Sequence, residues 1–494
     1  MRFEKLFTVV SFSIFFLTAC NKVEYHPYDG RINGKTGINK KNIALIEKAC
    51  AAKDTIRFAV ISDTQGWLDE TAIIVKSINS RQDVDFTLHL GDLSDFGLTK
   101  EFEWQRDCLE KLARPYVCLI GNHDCLATGE YVFKKIFGDI NFAFTAGKTR
   151  FVCLNTNSRE FDHTTSVPDF SFIKEQQEIF PAGVVNTVAA MHAPPTSDCL
   201  LYTSTTTAPK TCLATGTFTT ALQALRNCHT TSSPFSPKDI PMRPSTAKLC
   251  AIVLAMAGCV LQALPCAASL PPATPCSVAD SLMPACPGDS ATTDSLPPTP
   301  VPANENSERY EKHVRRARHF WRVITPRRTV LQYAGGIGLV SAGVGWMYGP
   351  RKVWETDFLI GFVPSYNTGG TKVTLTLKQT YAPFNVQINK LFSYQPLACG
   401  LYLNSIFGEE FWTSEPKRYP EHYYGFSTGI RAGINLGQRI KLNIPPMRRR
   451  WCREIIFYYE ANTCDLYLVS FFKNKDVSFW DILNFSFGLK FTVF

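Results

Sequence analysis

Four short polar clusters between residues 63 and 195 carry the chemistry of this chain. They are Asp63-Thr64-Gln65, Gly91-Asp92-Leu93-Ser94-Asp95, Gly121-Asn122-His123-Asp124 and His192-Ala193-Pro194-Pro195. Carboxylate and amide oxygens combined with imidazole nitrogens make a donor set suited to hard or borderline divalent metals. Glycines at 91 and 121 let the backbone turn sharply, so that the next side chain points into a crevice. One Gly-Asp turn or one GNHD is ordinary loop chemistry. Four such clusters in order, each at the end of an apolar run, are not.

The elements that must position these clusters are legible on either side of them. Compact apolar runs at 56–62, 86–90, 116–120, 150–154 and 184–191 alternate with amphipathic stretches at 71–78, 100–112, 130–137 and 170–180. Strand-helix alternation of this kind predicts an α/β layered fold over 55–195. Open α/β sheets bind ligands beyond the carboxyl ends of their strands, which would bring the four clusters together. His89, between Leu88 and Leu90, reads as a satisfied core residue. Cys118 and Cys153, inside apolar strands, read as buried small hydrophobes.

The segment resembles the calcineurin-like metallophosphoesterases, whose pattern is DxH, GDxxD, GNHE or GNHD, an isolated His and a final GHxH. The resemblance implies two divalent metal ions (Mn, Fe or Zn) and hydrolysis of phosphate mono- or diesters. Asp63 matches a ligand of the first metal, and Gln65 stands where the family usually has His. Asp92 matches the carboxylate shared by both metals, and Asn122 and His192 match ligands of the second. His123 matches the catalytic His that contacts the phosphate and leaving group, with Asp124 placed to orient it. Metal-activated water would attack the phosphorus, and a protonated His123 would help the alkoxide leave.

The pattern stops before its end. No GHxH follows His192, and the next histidine is His229, in Asn227-Cys228-His229-Thr230. The domain therefore reads as truncated, with its second sheet missing, its core half open and its activity impaired. Residues 196–308 read as a disordered, low-complexity seam. Within it, 242–268 has a start methionine, basic residues and an apolar run ending in Cys266-Ala267-Ala268-Ser269, a second signal-like segment. Cys199-Leu200-Leu201-Tyr202-Thr203-Ser204 resembles translated sequencing adaptor. Two export signals, a cut domain and a patternless seam point to two unrelated reading frames joined near residues 198–241. A natural fusion is the alternative.

At the N-terminus, Arg2 and Lys5 precede an apolar run over 6–17 that ends in Leu17-Thr18-Ala19-Cys20. The run resembles a bacterial lipoprotein signal, with residues 1–19 removed and Cys20 lipidated; an ordinary signal peptide is the alternative. Residues 20–54 then read as a tether, and the protein as exported to the cell envelope, in the outer membrane or periplasm.

With 494 residues, 45% hydrophobic and 19% charged, the chain can bury sizeable cores, which excludes wholesale disorder. A net charge of +9 comes with no zinc-finger spacing and no basic zipper, so no nucleic-acid-binding motif is present. Seventeen cysteines without CxxC pairs give no disulfide framework. Over 309–494 the period changes to two. Phe485, Phe487, Leu489, Phe491 and Val493 alternate with Asn484, Ser486, Gly488, Lys490 and Thr492, and similar runs fall at 332–348, 355–362, 397–407, 424–440 and 455–472. Runs of this length cross an outer membrane when tilted. Trp346, Tyr348, Trp354, Trp412, Tyr423, Tyr424 and Trp480 would form an aromatic girdle. This part resembles small outer-membrane β-barrels of Bacteroidota type; a soluble β-sandwich or lipocalin-like barrel is the alternative. The basic stretch 309–328 reads as a solvated helix. Three functions compete: a membrane-tethered phosphoesterase acting on a phosphate-ester substrate, an outer-membrane barrel carrying a non-catalytic passenger, and an exported pseudoenzyme that binds metal or phosphate without turnover.

Overall fold

A computed structural model describes residues 23–161, 167–179, 181–193, 210–215, 305–365 and 369–493. The expected signal peptide, Cys20 and the segment 242–268 lie outside them, as does most of the seam. The chain divides into two units, residues 1–236 with 326–494, and residues 237–325.

The first unit opens with helix α1 (Ile38–Cys50) and continues β1 (Phe58–Ile61), α2 (Leu68–Asn79), β2 (Phe86–His89), α3 (Thr99–Leu109) and β3 (Tyr116–Cys118). The three strands pair in parallel in the order β1-β2-β3, as strand-helix alternation requires. Helix α4 (Gly129–Ile136) leads to β4 (Phe142–Ala146), β5 (Thr149–Leu154), α5 (Phe170–Glu178), β6 (Asn186–Met191) and β7 (Lys210–Thr215). These last four strands form a second sheet in the order β4-β5-β6-β7.

The second sheet corrects the expectation of a half-open core. Phe86, Leu88, Val117 and Leu119 of the first layer pack with Phe144, Phe151, Cys153 and Ala190 of the second, all buried. Alternate residues of the first layer, Tyr116, Cys118 and Ile120, face Phe102, Leu109, Phe133 and Ile136 of the helices. Strand β7 lies inside the segment expected as a seam and pairs in parallel with β6.

The C-terminal part is a closed barrel of eight antiparallel strands. After β8 (Arg328–Ala334) come β9 (Val340–Tyr348), β10 (Trp354–Val363), β11 (Lys372–Tyr381), the two-residue β12 (Val386–Gln387) beside the ring, β13 (Phe392–Phe407), β14 (Ile430–Asn443), β15 (Cys452–Cys464) and β16 (Asn484–Val493). Neighbours pair in the order β11-β10-β9-β8-β16-β15-β14-β13, and β13 pairs with β11 to close the ring. The expected run 332–348 is two strands around the Gly335-Gly336 turn, and 455–472 is a strand followed by a helix, α6 (Asp465–Lys473).

The barrel carries apolar side chains on its outside and charged ones within. Leu331, Phe358, Ile360, Leu377, Leu403, Ile434, Leu436 and Leu489 are exposed, while Arg328, Glu355, Asp357, Lys378, Arg439, Glu460 and Lys490 are buried inside. Glu355 pairs with Arg328, with Arg439 at 2.8 Å and with Lys490 at 2.9 Å; Lys490 also meets Asp357 at 2.6 Å, and Lys378 pairs with Glu460. Strand alternation produces both faces at once. Arg328, expected at the end of a solvated helix, belongs to this interior. In the second unit the basic stretch is a helix (Glu305–Ile324) whose charged side chains between 309 and 318 are exposed. Among the described residues no helix is long and apolar enough to cross a membrane.

The two halves share a core. Tyr28, Leu68, Phe96, Leu98 and Leu126 pack with Ile406, Tyr419, Tyr424, Leu466, Tyr467 and Ile482. The segment expected as a tether is folded between them. Thr99 and Thr128 donate to the carbonyls of Asp29 and Tyr28, while the Glu24 carbonyl accepts from Gly335 N–H at 3.0 Å and His26 bonds Asn404 at 3.0 Å.

Candidate metal centre

The clusters converge through backbone geometry that few residues adopt. Asp63 and Asp92 both have positive φ, 55° and 59°, directly after β1 and after the Gly91 turn. Non-glycine residues held there store strain that the surroundings must over-determine. Gly91 N–H is held by His89 Nδ1 at 3.2 Å, and His89 Nε2 bonds Thr64 Oγ1 at 2.8 Å. His89 is thus the satisfied core residue expected, and burial pushes its pKa down to about 3. At Gly121 a Cβ would fall 2.1 Å from Asp92 Oδ1 and 2.2 Å from Asp92 N, so only glycine lets the third turn close on the second.

Ligand atoms of Asp63, Asp92 and His192 lie within 4.8 Å of one another. His192 reaches the others from the second sheet: its Nδ1 donates to the Leu90 carbonyl at 2.9 Å. That bond fixes the tautomer and turns Nε2 toward Asn122 Oδ1 at 2.9 Å and Asp92 Oδ2 at 3.4 Å. Burial opposes charge on His192, but the Asp92 and Asp63 carboxylates outweigh it and lift the pKa to about 9. Asp63 Oδ2 and Gln65 Oε1 are buried with no hydrogen-bond partner, so both oxygens are available to a metal. Burial, with Asp92 adding, raises the Asp63 pKa. Oxygen-rich, partly orphaned and negative, the donor set fits a divalent ion.

His123 and Asp124 separate in role. The His123 backbone N–H donates to Asp92 Oδ1 at 3.0 Å, and its ring Nδ1 donates to the Asp95 carbonyl at 2.7 Å, with the Asp95 carboxylate 3.7 Å away. Burial works against a charged ring, but Asp92 and Asp95 together hold the His123 pKa above its usual value. Asp124 is committed elsewhere: it accepts from Leu93, Ser94 and Gly121 N–H at 2.8–2.9 Å, which locks the second and third turns together. Asp95, not Asp124, orients His123. Asp95 closes the second sequence cluster, but nothing in its spacing distinguished the two.

Two contributors were not read from the sequence. Residues 408–429, between β13 and β14, bring Tyr424 to the third turn, where its hydroxyl accepts from Asn122 Nδ2 at 3.0 Å and its ring meets His123 edge-on at 4.9 Å. Trp412, Tyr419, Tyr423 and Tyr424 pack with one another, and Trp412 and Tyr424 join the core shared with the phosphoesterase half rather than a girdle. Glu160 accepts from both Tyr419 (2.5 Å) and Tyr424 (2.9 Å). No local pattern marks Glu160, because its partners lie some 260 positions away.

Residues 56–216 match the family model described as calcineurin-like phosphoesterase. A 3',5'-cyclic-nucleotide phosphodiesterase of Nostoc sp. (strain PCC 7120 / SAG 25.82 / UTEX 2576) is 26% identical over 147 residues, 30% of this chain and 53% of that protein. The chain thus spans about half the length of the curated relative it matches. Among solved structures, a phosphopantetheinyl hydrolase from Mycobacterium tuberculosis aligns with 38% of this chain and 98% of its own, at 11% identity and a TM-score of 0.25, too slight a likeness to bear on the fold. The family match spans all four turns that converge on Asp92, and residues 56–216 are a calcineurin-like phosphoesterase domain.

Proposed function

We propose that this domain is a metal-dependent phosphoesterase acting on phosphate mono- or diesters. The observation that carries the reading is the pair of buried, unpartnered oxygens on Asp63 and Gln65 beside Asp92 and His192. Asp63, Gln65 and Asp92 would hold one ion, and Asp92, Asn122 and His192 a second. When bound, such ions activate water near neutral pH and polarise the phosphoryl group. His123, its Nδ1 tied to Asp95, keeps Nε2 for the leaving-group oxygen and carries the proton that oxygen needs. The Nostoc relative is named for a cyclic phosphodiester, which favours diesters among the substrates.

Turnover is expected to be slow. The GHxH imidazoles do not follow His192 in the sequence, and one lost ligand or orienting partner commonly costs about 10–100-fold. The test is hydrolysis of a chromogenic phosphodiester with added Mn²⁺ by the full chain, purified away from host phosphatases. Weak turnover that vanishes on Asp92→Ala supports the reading. Turnover indifferent to Asp92→Ala overturns it, and a rate of about 1–1,000 per second overturns the impairment. No turnover, with no Mn²⁺ bound, leaves the alternative of a barrel with a non-catalytic passenger.

The barrel favours a membrane site for this chemistry. Its apolar exterior and charged interior suit lipid outside and polar groups within. Export to the cell envelope, lipidation of Cys20 and an outer-membrane location complete the proposal.

A further inference from the structure

Asn122 is an unusual candidate ligand, because its side chain carries one oxygen that can face a cation and one NH₂ that cannot. A ligand of this kind works only if something else fixes which end points inward. His192 Nε2, 2.9 Å from Oδ1, sits on the metal side and would itself be taken up by an ion, so it cannot supply that direction once the site is loaded. The opposite end of the amide is therefore decisive. There Nδ2 meets the Tyr424 hydroxyl at 3.0 Å, with the Tyr423 hydroxyl farther off at 3.4 Å.

A tyrosine hydroxyl can donate or accept, so by itself it would tolerate either amide orientation. Here its proton is already placed. Tyr424 donates to Glu160 Oε1 at 2.9 Å, and Tyr419 donates to Oε2 of the same carboxylate at 2.5 Å. A carboxylate that receives two hydroxyl protons has none to give back, so the Tyr424 oxygen is left as an acceptor facing Asn122. Its ring is fixed as well, edge-on to His123 at 4.9 Å and against Trp412 and Tyr419. Tyr424 is only 6% exposed, buried among these groups, so water does not compete for the bond.

We propose that Tyr424, supplied by the barrel, is a positioning residue of the phosphoesterase site: its proton committed to Glu160, it accepts from Asn122 Nδ2 and turns Asn122 Oδ1 toward the metal. The inference rests on the metal-site reading above and adds a partner from the other half of the chain. Loss of an outer hydrogen bond of this kind typically weakens metal affinity about 10–100-fold. It also explains why the loop 408–429 presents a hydroxyl, where a phenylalanine would pack as well.

The test is Mn²⁺ binding to the full chain in detergent, followed by the electron paramagnetic resonance signal of free Mn²⁺. Tyr424→Phe keeps the ring and is expected to weaken Mn²⁺ binding at least tenfold, while Tyr423→Phe leaves it within about twofold. Asn122→Asp supplies the decisive background, because a carboxylate presents oxygen either way and needs no orientation. In that background Tyr424→Phe should cause no further loss, whereas a merely structural effect would persist. Wild-type affinity in Tyr424→Phe, or equal losses in both backgrounds, overturns the inference and leaves the metal site standing. Failure of the wild-type chain to bind Mn²⁺, with Asp92→Asn indistinguishable from it, overturns the metal-site reading and this inference together.

Discussion

Asn122 and Tyr424 stand 302 positions apart in the sequence, yet the amide of one donates to the hydroxyl of the other across 3.0 Å. The contact is one of a set. Leu68 N–H donates to Asn474 at 2.8 Å, Lys100 to Asn484 at 2.9 Å, and the Tyr467 hydroxyl to Glu24 at 3.0 Å. These bonds tie the two halves together, which makes substitutions on either side of the join informative about both.

Gly121→Ala should damage the site without touching a candidate ligand. The added methyl would lie 2.1 Å from Asp92 Oδ1 and 2.2 Å from the Asp92 backbone nitrogen, and a backbone atom cannot swing aside as a side chain can. Overpacking of this kind costs about 1–3 kcal/mol. A lower melting temperature together with lost Mn²⁺ binding is expected; unchanged Mn²⁺ affinity would show that the turn is slacker than its geometry implies.

Glu101 gives the stability of the metal-free chain a pH dependence. Burial, with the Asp95 charge adding, pushes its pKa up to about 7, against three backbone N–H donors at 95, 96 and 98. A raised carboxyl pKa favours the folded state while the group is protonated. The contribution is present in full below the unfolded value of about 4.5 and is lost as pH rises to about 7. Asp124, raised to about 6, acts in the same direction. Melting temperatures measured in chelator should therefore fall between pH 5 and 8, and Glu101→Gln should flatten the fall. An identical slope in the variant would rule Glu101 out as its source.

Inside the barrel, Glu355 faces three cations, Arg328, Arg439 and Lys490. Removing one partner from a buried ionic network commonly costs about 3–5 kcal/mol, because the remaining charges are left uncompensated. Glu355→Leu should lower the urea midpoint of the refolded chain in detergent and abolish its heat-modifiable gel migration. Full retention of both would mean the interior is wetter than its burial suggests.

Outside the barrel, Leu436 is 56% exposed and points away from the lumen. If lipid covers that face, Leu436→Arg should cost up to about 2–4 kcal/mol in a bilayer, depending on depth. If water covers it, the change should fall within about 0.5 kcal/mol. Refolding into lipid vesicles with a urea titration separates the two, and the second result would sink the membrane assignment.

Much of the site was legible because its signals are local. Gly91-Asp92, Gly121-Asn122-His123 and His192 each sit where a short apolar strand ends, and the spacing alone brought them together. What escaped was set by long-range packing. Asp95 and Asp124 look equivalent in the sequence, and only the closure of one turn on another decides which reaches His123. The second sheet was missed because β7 lies in a stretch without a readable period, although it pairs with β6 over its whole length. Tyr424 reads as a girdle residue in the sequence because aromatic residues near strand ends look alike whether they meet a membrane interface or a neighbouring domain.

The loop 408–429 also sets an order of events in time. It joins β13 to β14, so its tyrosines come into place only when those strands have paired across 12 residue positions. The phosphoesterase turns, by contrast, rest on contacts within one stretch of chain that emerges earlier from the ribosome. Contacts between residues about 300 positions apart form late, since so much chain must first be closed. The metal site would then be the last part of the molecule to be completed, and a chain whose barrel has not yet assembled would meet phosphate esters with Asn122 still free to turn.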